Sequence, residues 1–202
     1  MIIDLDALDH NIREVRRALG GRDLRIVAKS VPSTSLLDYV SNLAGSNKLM
    51  AFHEPFLGAV GNQQSDILFG KPMPVAAAAK FYDRPALKSF DPTTQLQWLI
   101  DTPERLVQYS SLAKTKNLRM RINIELDVGL HRGGVHDPII LQQMLKTIQE
   151  TPQLTFDGLM GYDPHVVKMP ELIVGQQEEF QQVQRRYQSM LDVALGSGAS
   201  SR

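Results

Sequence analysis

The stretch "LRIVAKSVPSTSLLDYV" (24–40) contains the first strand of the predicted sheet and the helix that follows it, the unit that recurs along the chain. Residues 24–28 form a short apolar run that is continuous rather than alternating, which is typical of a strand buried on both faces. A helical pattern follows at about 34–44. One lysine, Lys29, lies between the two, at the end of the predicted strand. The stretch therefore predicts one strand–helix unit with a chemically capable side chain at the strand's carboxyl end.

The same alternation recurs along the chain. A helix precedes the first strand, with Asp6 as its predicted N-cap and Gly20 at its end. Further strands are predicted at 48–52, 66–70, 97–101, 119–126 and 156–161, with a weaker seventh at 192–196. Helices are predicted between them at about 54–60, 74–80, 103–116, 137–150 and 176–190. This pattern indicates a parallel sheet, and the number of units favours a TIM (β/α)8-type barrel, incomplete at its C-terminus, over a five-stranded open sheet.

The composition limits the classes of function. The 202 residues are enough for one domain with a substantial core, and the 22 basic residues balance the 22 acidic ones. No overall field would attract nucleic acid or an anionic membrane surface. Cysteine is absent, which excludes thiol catalysis and fits a reducing compartment. The opening "MIIDLDALDH" lacks a signal-peptide pattern. The sequence therefore predicts a cytoplasmic protein that binds neither nucleic acid nor a membrane.

Lys29 has two interpretations. A lysine at a strand end usually extends its ammonium group into water and has no further role. In a barrel, however, the carboxyl ends of the strands form the rim where chemistry collects. An amine that is partly desolvated there can act as a nucleophile toward a carbonyl and form a Schiff base. Composition alone does not separate the two interpretations.

The segment "ELDVGLHRGGV" (125–135) follows the fifth predicted strand and also has two interpretations. It is either a turn in which Gly129, Gly133 and Gly134 supply positive φ, or a loop that lets its backbone approach a flat ligand. In the second interpretation, Arg132 is a fixed cation that donates to an anionic oxygen, with His131 beside it.

Two later segments carry candidate residues. "GYDPH" (161–165) places Tyr162 and His165 after the sixth strand, in a predicted turn. "GSGASS" (196–201) is either a tail or, if it follows a late barrel strand, a phosphate-binding loop. No histidine or carboxylate spacing is that of a metal site, so no metal is predicted.

Five segments together resemble the alanine racemase N-terminal domain family, whose members are fold type III pyridoxal phosphate enzymes. The likeness is greatest to the branch of D-threonine aldolases and D-serine dehydratases. It extends from the amino terminus to about residue 168. The segments are "IDLDALDHNI" (3–12), "RIVAKSVPS" (25–33), "LQWLIDTPERL" (96–106), "ELDVGLHRGGV" (125–135) and "GLMGYDPHV" (158–166).

The resemblance implies pyridoxal 5'-phosphate as cofactor and a role for each matched residue. Lys29 matches the lysine that binds the cofactor as a Schiff base and moves protons in catalysis. Arg132 matches the arginine that contacts the phenolic oxygen, and Tyr162 stands where the family places a ring against the pyridine. The resemblance implies phosphate binding by Gly198, Ser200 and Ser201. For the substrate, His131 and His165 are the candidates.

The implied function is an amino-acid racemase, or a lyase similar to D-threonine aldolase or D-serine dehydratase. Family enzymes continue into a β-rich C-terminal domain that this chain lacks, so residues 1–202 are expected to form the cofactor-binding barrel domain alone. Two alternatives stay open: a single-domain cofactor-binding or homeostasis protein without turnover, and an inactive fragment. Family members often form homodimers.

Overall fold

The computed structural model describes residues 2–30, 33–61, 65–84, 90–168 and 175–198. These residues fall into two compact units. The first consists of Met1–Lys71 and Lys80–Leu96, and the second of Pro72–Ala79 and Gln97–Arg202. Each unit is described by itself below, and a single domain over residues 1–202 stays a prediction.

Helices and strands alternate along the described residues, as the sequence predicts. In chain order they are α1 (Leu5–Leu19), β1 (Arg25–Val27), α2 (Thr34–Ala44), β2 (Lys48–Ala51), α3 (Leu57–Val60), β3 (Asp66–Phe69), α4 (Val75–Tyr82), α5 (Pro92–Gln95), β4 (Leu96–Ile100), α6 (Pro103–Lys116), β5 (Met120–Leu126), α7 (Pro138–Gln149), β6 (Leu154–Gly161), α8 (Pro164–Lys168) and α9 (Gln176–Gly196). Short 3-10 turns cover Ala28–Ser30 and Glu54–Phe56. None of the helices in the described ranges combines the length and apolar character needed to cross a bilayer.

The amino end of α1 differs from the prediction by two residues. Asp4, rather than Asp6, is the N-cap, because its carboxylate accepts the N–H of Ala7 at 3.0 Å. A capping side chain typically reaches the second or third N–H of its helix, and Asp4 has that spacing from Ala7. At the other end, Gly20 takes the left-handed conformation with φ 57°, which confirms the predicted stop.

The sheet of the first unit consists of β1, β2 and β3, all parallel. Ile26 pairs with Leu49, and Leu49 with Ile67, so a buried apolar row crosses the three strands. Arg25 lies beside this row, and its guanidinium donates to the backbone oxygens of Leu49 at 3.0 Å and Asp66 at 2.8 Å. It also pairs with the Asp66 carboxylate at 3.1 Å. This polar residue at the start of β1 therefore satisfies acceptors on β2, its neighbour, and on β3, the strand beyond it.

The sheet of the second unit consists of β4, β5 and β6, again parallel. Every residue of β4 is buried, as expected for a strand covered on both faces. Trp98 of β4 pairs with Ile122 of β5, and its ring lies 5.6 Å from that of Tyr109 on α6. A shift in the β5–β6 register between Ile122 and Asn123 changes the alignment toward the carboxyl ends, where the loops with the candidate residues begin.

The predicted seventh strand at 192–196 is wrong, because α9 continues as one helix through Gly196. Its buried residues are Val183, Met190 and Ala194, which are seven and four positions apart and therefore share one helical face. Helix α9 packs against α7 and α8. The predicted turn at "YDPH" is also incomplete, because Pro164 begins the short helix α8, a position where proline's missing N–H costs nothing.

We expect Thr102→Ala to lower the free energy of unfolding by about 1 kcal/mol. Thr102 is the N-cap of α6, and its side chain accepts the N–H of Arg105 at 3.2 Å. The measurement is equilibrium unfolding in denaturant. The control is Ser111→Ala, an exposed position within the same helix, where alanine should leave stability unchanged or slightly raise it. Equal stability of the two variants would contradict the capping role.

Candidate functional site

Lys29 lies at the end of β1, in the 3-10 turn Ala28–Ser30. Ala28 is fully buried, whereas Lys29 and Ser30 are exposed. The Lys29 Nζ lies 4.6 Å from the centroid of the Phe52 ring, close enough for a cation–π contact. No carboxylate of the described part of the chain forms an ion pair with this amine. Lys29 is therefore neither free in water nor neutralised by an acid, and Phe52 covers one side of its amine.

Gly70 makes room for the Phe52 ring. A Cβ on Gly70 would lie 2.3 Å from Phe52 Cζ and 2.6 Å from Met50 Sδ, so a larger residue there would displace the Phe52 ring or Met50. The Gly70 N–H also donates to Ala51 O at 2.8 Å, which fixes the end of β3 beside that of β2. The aromatic surface beneath the Lys29 amine is thus set by backbone pairing and by a glycine.

In the second unit, Glu125, Arg132 and Tyr162 form what we call the arginine cluster. The Arg132 Nη2 donates to Glu125 Oε1 at 3.3 Å, and the Arg132 Cζ lies 4.7 Å from the centroid of the Tyr162 ring. The Glu125 side chain is only 5% exposed, whereas that of Arg132 is 54% exposed. One edge and one face of the guanidinium are therefore held by protein, while other donors remain accessible to a ligand.

The loop that carries Arg132 is organised by Asp127. One oxygen of its carboxylate accepts the N–H groups of Gly129 and His131, each at 3.0 Å, and the other lies 2.8 Å from His131 Nδ1. Burial opposes ionisation of Asp127, but these hydrogen bonds outweigh it and keep the pKa of the carboxyl below its usual range. Asp127 therefore remains an anion that holds residues 127–131 in one turn.

Two of the three glycines predicted to have positive φ in this loop do so, and the third does not. Gly129 and Gly134 have φ of 130° and 96°, but Gly133 does not share this conformation, and His131 has φ 55° instead. Positive φ strains a residue with a side chain. The two hydrogen bonds from His131 to Asp127 compensate for that strain here.

Glu125 is a buried acid next to a cation. Burial raises the pKa of its carboxyl above the ordinary value of 4.5, and the hydrogen bond and charge of Arg132 only partly offset this effect. A carboxyl that holds its proton more tightly in the folded state than in the unfolded state favours unfolding as the pH rises. Its contribution to stability is thus present below pH 4.5 and is lost as the pH rises through the raised pKa.

Glu125→Gln tests whether ionisation of Glu125 lowers the stability of the protein as the pH rises. We expect the free energy of unfolding of the variant, minus that of the wild type, to increase as the pH rises from about 4 to 7, because glutamine has no proton to lose. The measurement is denaturant unfolding at several pH values. Glu150→Gln, at an exposed position, should show no such trend. A difference that is constant or falls with pH would contradict the account.

A third group of side chains was not predicted from the sequence. Arg186 of α9 donates through Nη1 to Val128 O at 2.9 Å and to Glu179 Oε1 at 3.0 Å. The same Glu179 oxygen lies 3.3 Å from His165 Nε2. We call His165, Glu179 and Arg186 the α9 network. The signal for it lay in the seven-residue spacing of Glu179 and Arg186, which puts both on one helical face.

The remaining predicted residues have mixed outcomes. His131 contacts Asp127, and His165 contacts Glu179, so their predicted role in substrate binding stays a prediction. Gly198 follows a helix rather than a strand, and its N–H donates to Leu195 O at 3.2 Å. Ser200 and Ser201 lie outside the described residues. Within the described ranges, no three His, Asp or Glu side chains are grouped so that they could hold a metal ion.

Parallel strands that alternate with helices, with reactive and charged side chains just beyond the strand ends, define an α/β protein of the barrel class. The chain belongs to the alanine racemase N-terminal domain family, which it matches over residues 3–202. The family comprises pyridoxal phosphate enzymes. The predicted resemblance is confirmed. No curated protein matches the chain.

Solved structures support the same fold. The chain is similar to D-threo-3-hydroxyaspartate dehydratase from Delftia sp. HT23, with 19% identity, a TM-score of 0.78, and coverage of 98% of this chain and 52% of that one. Alanine racemase from Bacillus anthracis with bound L-Ala-P is 17% identical, with a TM-score of 0.74 and coverage of 98% of this chain and 48% of that one. Alanine racemase from Oenococcus oeni is 16% identical, with a TM-score of 0.70 and coverage of 93% of this chain and 51% of that one. The chain thus spans about half the length of these proteins. The predicted TIM-type barrel fold is confirmed.

Proposed function

We propose that this chain binds pyridoxal 5'-phosphate and contributes to an enzyme that acts on amino acids, as a racemase or as a lyase. Lys29 is the proposed covalent attachment point and catalytic base. The observation that carries the proposal is the Lys29 amine at the end of β1, lying over Phe52 in a chain of this family and without an acidic partner among the described residues. The dehydratase and the racemases named above support the two reaction classes.

The residues present fit the chemistry of this cofactor. Pyridoxal phosphate has an aldehyde, an anionic ring oxygen, a flat aromatic ring and a phosphate. Lys29 supplies a primary amine for the aldehyde, and Arg132 has N–H donors besides the one that Glu125 accepts. Tyr162 supplies an aromatic surface beside that guanidinium. For the phosphate we retain Gly198, Ser200 and Ser201 as predicted donors.

When bound, the cofactor supplies an electron sink for a bond that breaks at the substrate Cα. The chain's own residues move the proton, shield the amine and orient the cofactor. The Lys29 amine takes a proton from that carbon or returns one to it, acting as general base and acid. Phe52 keeps water from one side of the amine. Arg132, oriented by Glu125 and Tyr162, would donate an N–H to the ring oxygen of the bound cofactor and stabilise its negative charge.

The finer assignments are proposals as well. The substrate is an amino acid, and His131 and His165 are the proposed groups that bind it. The imidazole of His131 is oriented by Asp127 and that of His165 by Glu179. The other ring nitrogen of His165, Nδ1, is buried and has no hydrogen-bond partner among the described residues. We also propose a homodimer, by analogy with the family, and the cytoplasm as location, from the absence of cysteine.

Product analysis tests the proposal. The full-length protein, saturated with pyridoxal phosphate, is incubated separately with both alanine enantiomers, D-serine, D-threonine and D-threo-3-hydroxyaspartate. A racemase interconverts the enantiomers, an aldolase releases glycine and an aldehyde, and a dehydratase releases ammonia and a keto acid. Any one of these products supports the proposal. Firm cofactor binding with no product from any substrate overturns catalysis in favour of a binding or homeostasis protein.

A further inference from the structure

The Arg186 side chain of helix α9 forms a hydrogen bond with the loop of Arg132. Its Nη1 donates to the carbonyl oxygen of Val128 at 2.9 Å and to Glu179 at 3.0 Å, while its Nη2 donates to Gln182 at 3.0 Å. Two partners on α9 thus orient the guanidinium, and the third is the loop backbone. Because a planar guanidinium has its donors in a rigid fork, these bonds define where Val128 O must lie.

The loop is shaped to receive this guanidinium. A Cβ on Gly129 would lie 2.2 Å from Arg186 Nη1 and 3.0 Å from Glu179 Oε1, so only glycine leaves room for the contact. Gly129 also has φ 130°, a conformation that strains other residues. Space and backbone conformation therefore both require glycine at the point where Arg186 meets the loop.

A restraint at Val128 reaches Arg132 through the backbone. Asp127 accepts the N–H groups of Gly129 and His131, so residues 127–131 form one hydrogen-bonded turn, and Arg132 follows it directly. At the other end, Asp127 and Val135 are joined by the Asp127 N–H, which donates to Val135 O at 3.0 Å. A displacement of Val128 O would therefore move the turn and the start of the Arg132 side chain with it.

We infer that Arg186 is a positioning residue: by binding the Val128 carbonyl, it fixes the loop so that Arg132 meets Glu125 and Tyr162. The expected effect of Arg186 on cofactor affinity rests on the proposed function. The expected effect of Arg186 on the conformation of the loop does not. Arg185 provides a matched comparison, because it is the neighbouring arginine on α9 and forms no hydrogen bond or ion pair with the described residues.

The test compares Arg186→Met and Arg185→Met in the full-length protein. The first readout is amide hydrogen exchange without cofactor. We expect the Gly129 and His131 amides to exchange about tenfold faster in Arg186→Met, the factor that one charge-assisted hydrogen bond supplies, and at the wild-type rate in Arg185→Met. Arg186→Lys should give a smaller increase, because an ammonium group cannot reproduce the rigid fork.

The second readout is the dissociation constant of pyridoxal phosphate. It should rise about tenfold in Arg186→Met and stay unchanged in Arg185→Met, while borohydride still attaches the cofactor to both proteins. Wild-type exchange rates in both Arg186 variants would overturn the inference. If Arg186→Met does not fold, judged by circular dichroism, Arg186→Lys decides by the same exchange criterion. If the wild type does not bind the cofactor, only the proposed function fails, since the exchange result stands alone.

Discussion

Lys29→Ala is expected to abolish both covalent cofactor attachment and catalysis. Without the amine at the end of β1, no group remains there to condense with the aldehyde or to move a proton at the substrate Cα. We expect turnover to fall by roughly a thousandfold or more, as when other enzymes lose their nucleophile or base. The absorbance band at about 420 nm, which the lysine-bound cofactor gives, should disappear. Absorbance and intact mass after borohydride reduction are the measurements.

Lys71→Ala is the matched control for Lys29→Ala. Lys71 is an exposed lysine that follows β3, as Lys29 follows β1, and it has no hydrogen-bond or ion-pair partner among the described residues. This variant should retain the absorbance band, the mass increase and turnover. If the band persists in Lys29→Ala, or disappears in Lys71→Ala instead, the role given to Lys29 is wrong.

Arg132→Met is expected to weaken pyridoxal phosphate binding by about tenfold to a hundredfold, the range for one lost hydrogen bond from a charged donor. The variant also leaves the buried Glu125 carboxyl without its cation, so its pKa should rise further. The measurement is fluorescence titration with the cofactor. Arg132→Lys keeps the charge but loses the planar fork, and its affinity should lie between those of the wild type and Arg132→Met.

The control for this prediction is Arg119→Met. Arg119 is exposed, lies immediately before β5, and forms no hydrogen bond or ion pair with the described residues. Its replacement removes the same charge from the opposite end of the strand that leads to Arg132. Equal loss of affinity in both variants would point to a general effect of net charge and contradict a specific contact from Arg132.

Local patterns were sufficient to predict most of the fold. The apolar run before Lys29 and the helical patterns at 34–44 and 103–116 depend on residues close together in sequence, and the structure confirms them as β1, α2 and α6. The error at 192–196 has a physical reason. Five residues do not distinguish the strand period from the helix period, and the buried face of α9 becomes evident only over its full length, from Val183 to Ala194.

The side-chain partners at the site were less predictable because they depend on contacts distant in sequence. Arg132 was identified from its loop, but its partner Glu125 is a strand residue seven positions earlier. Arg186 and Val128 are 58 positions apart, and no periodicity links a helix to the carbonyl of a glycine-rich loop. His131 in the left-handed region was missed because its conformation depends on the side chain of Asp127.

The most direct test of the central claim is to identify the residue that carries the cofactor. The full-length protein is saturated with pyridoxal phosphate, reduced with borohydride, digested, and the labelled peptide is sequenced by mass spectrometry. The account predicts a single label, on Lys29, in the peptide that joins β1 to α2. A label on Lys71 or on any other lysine, or no label in a saturated preparation, would contradict it.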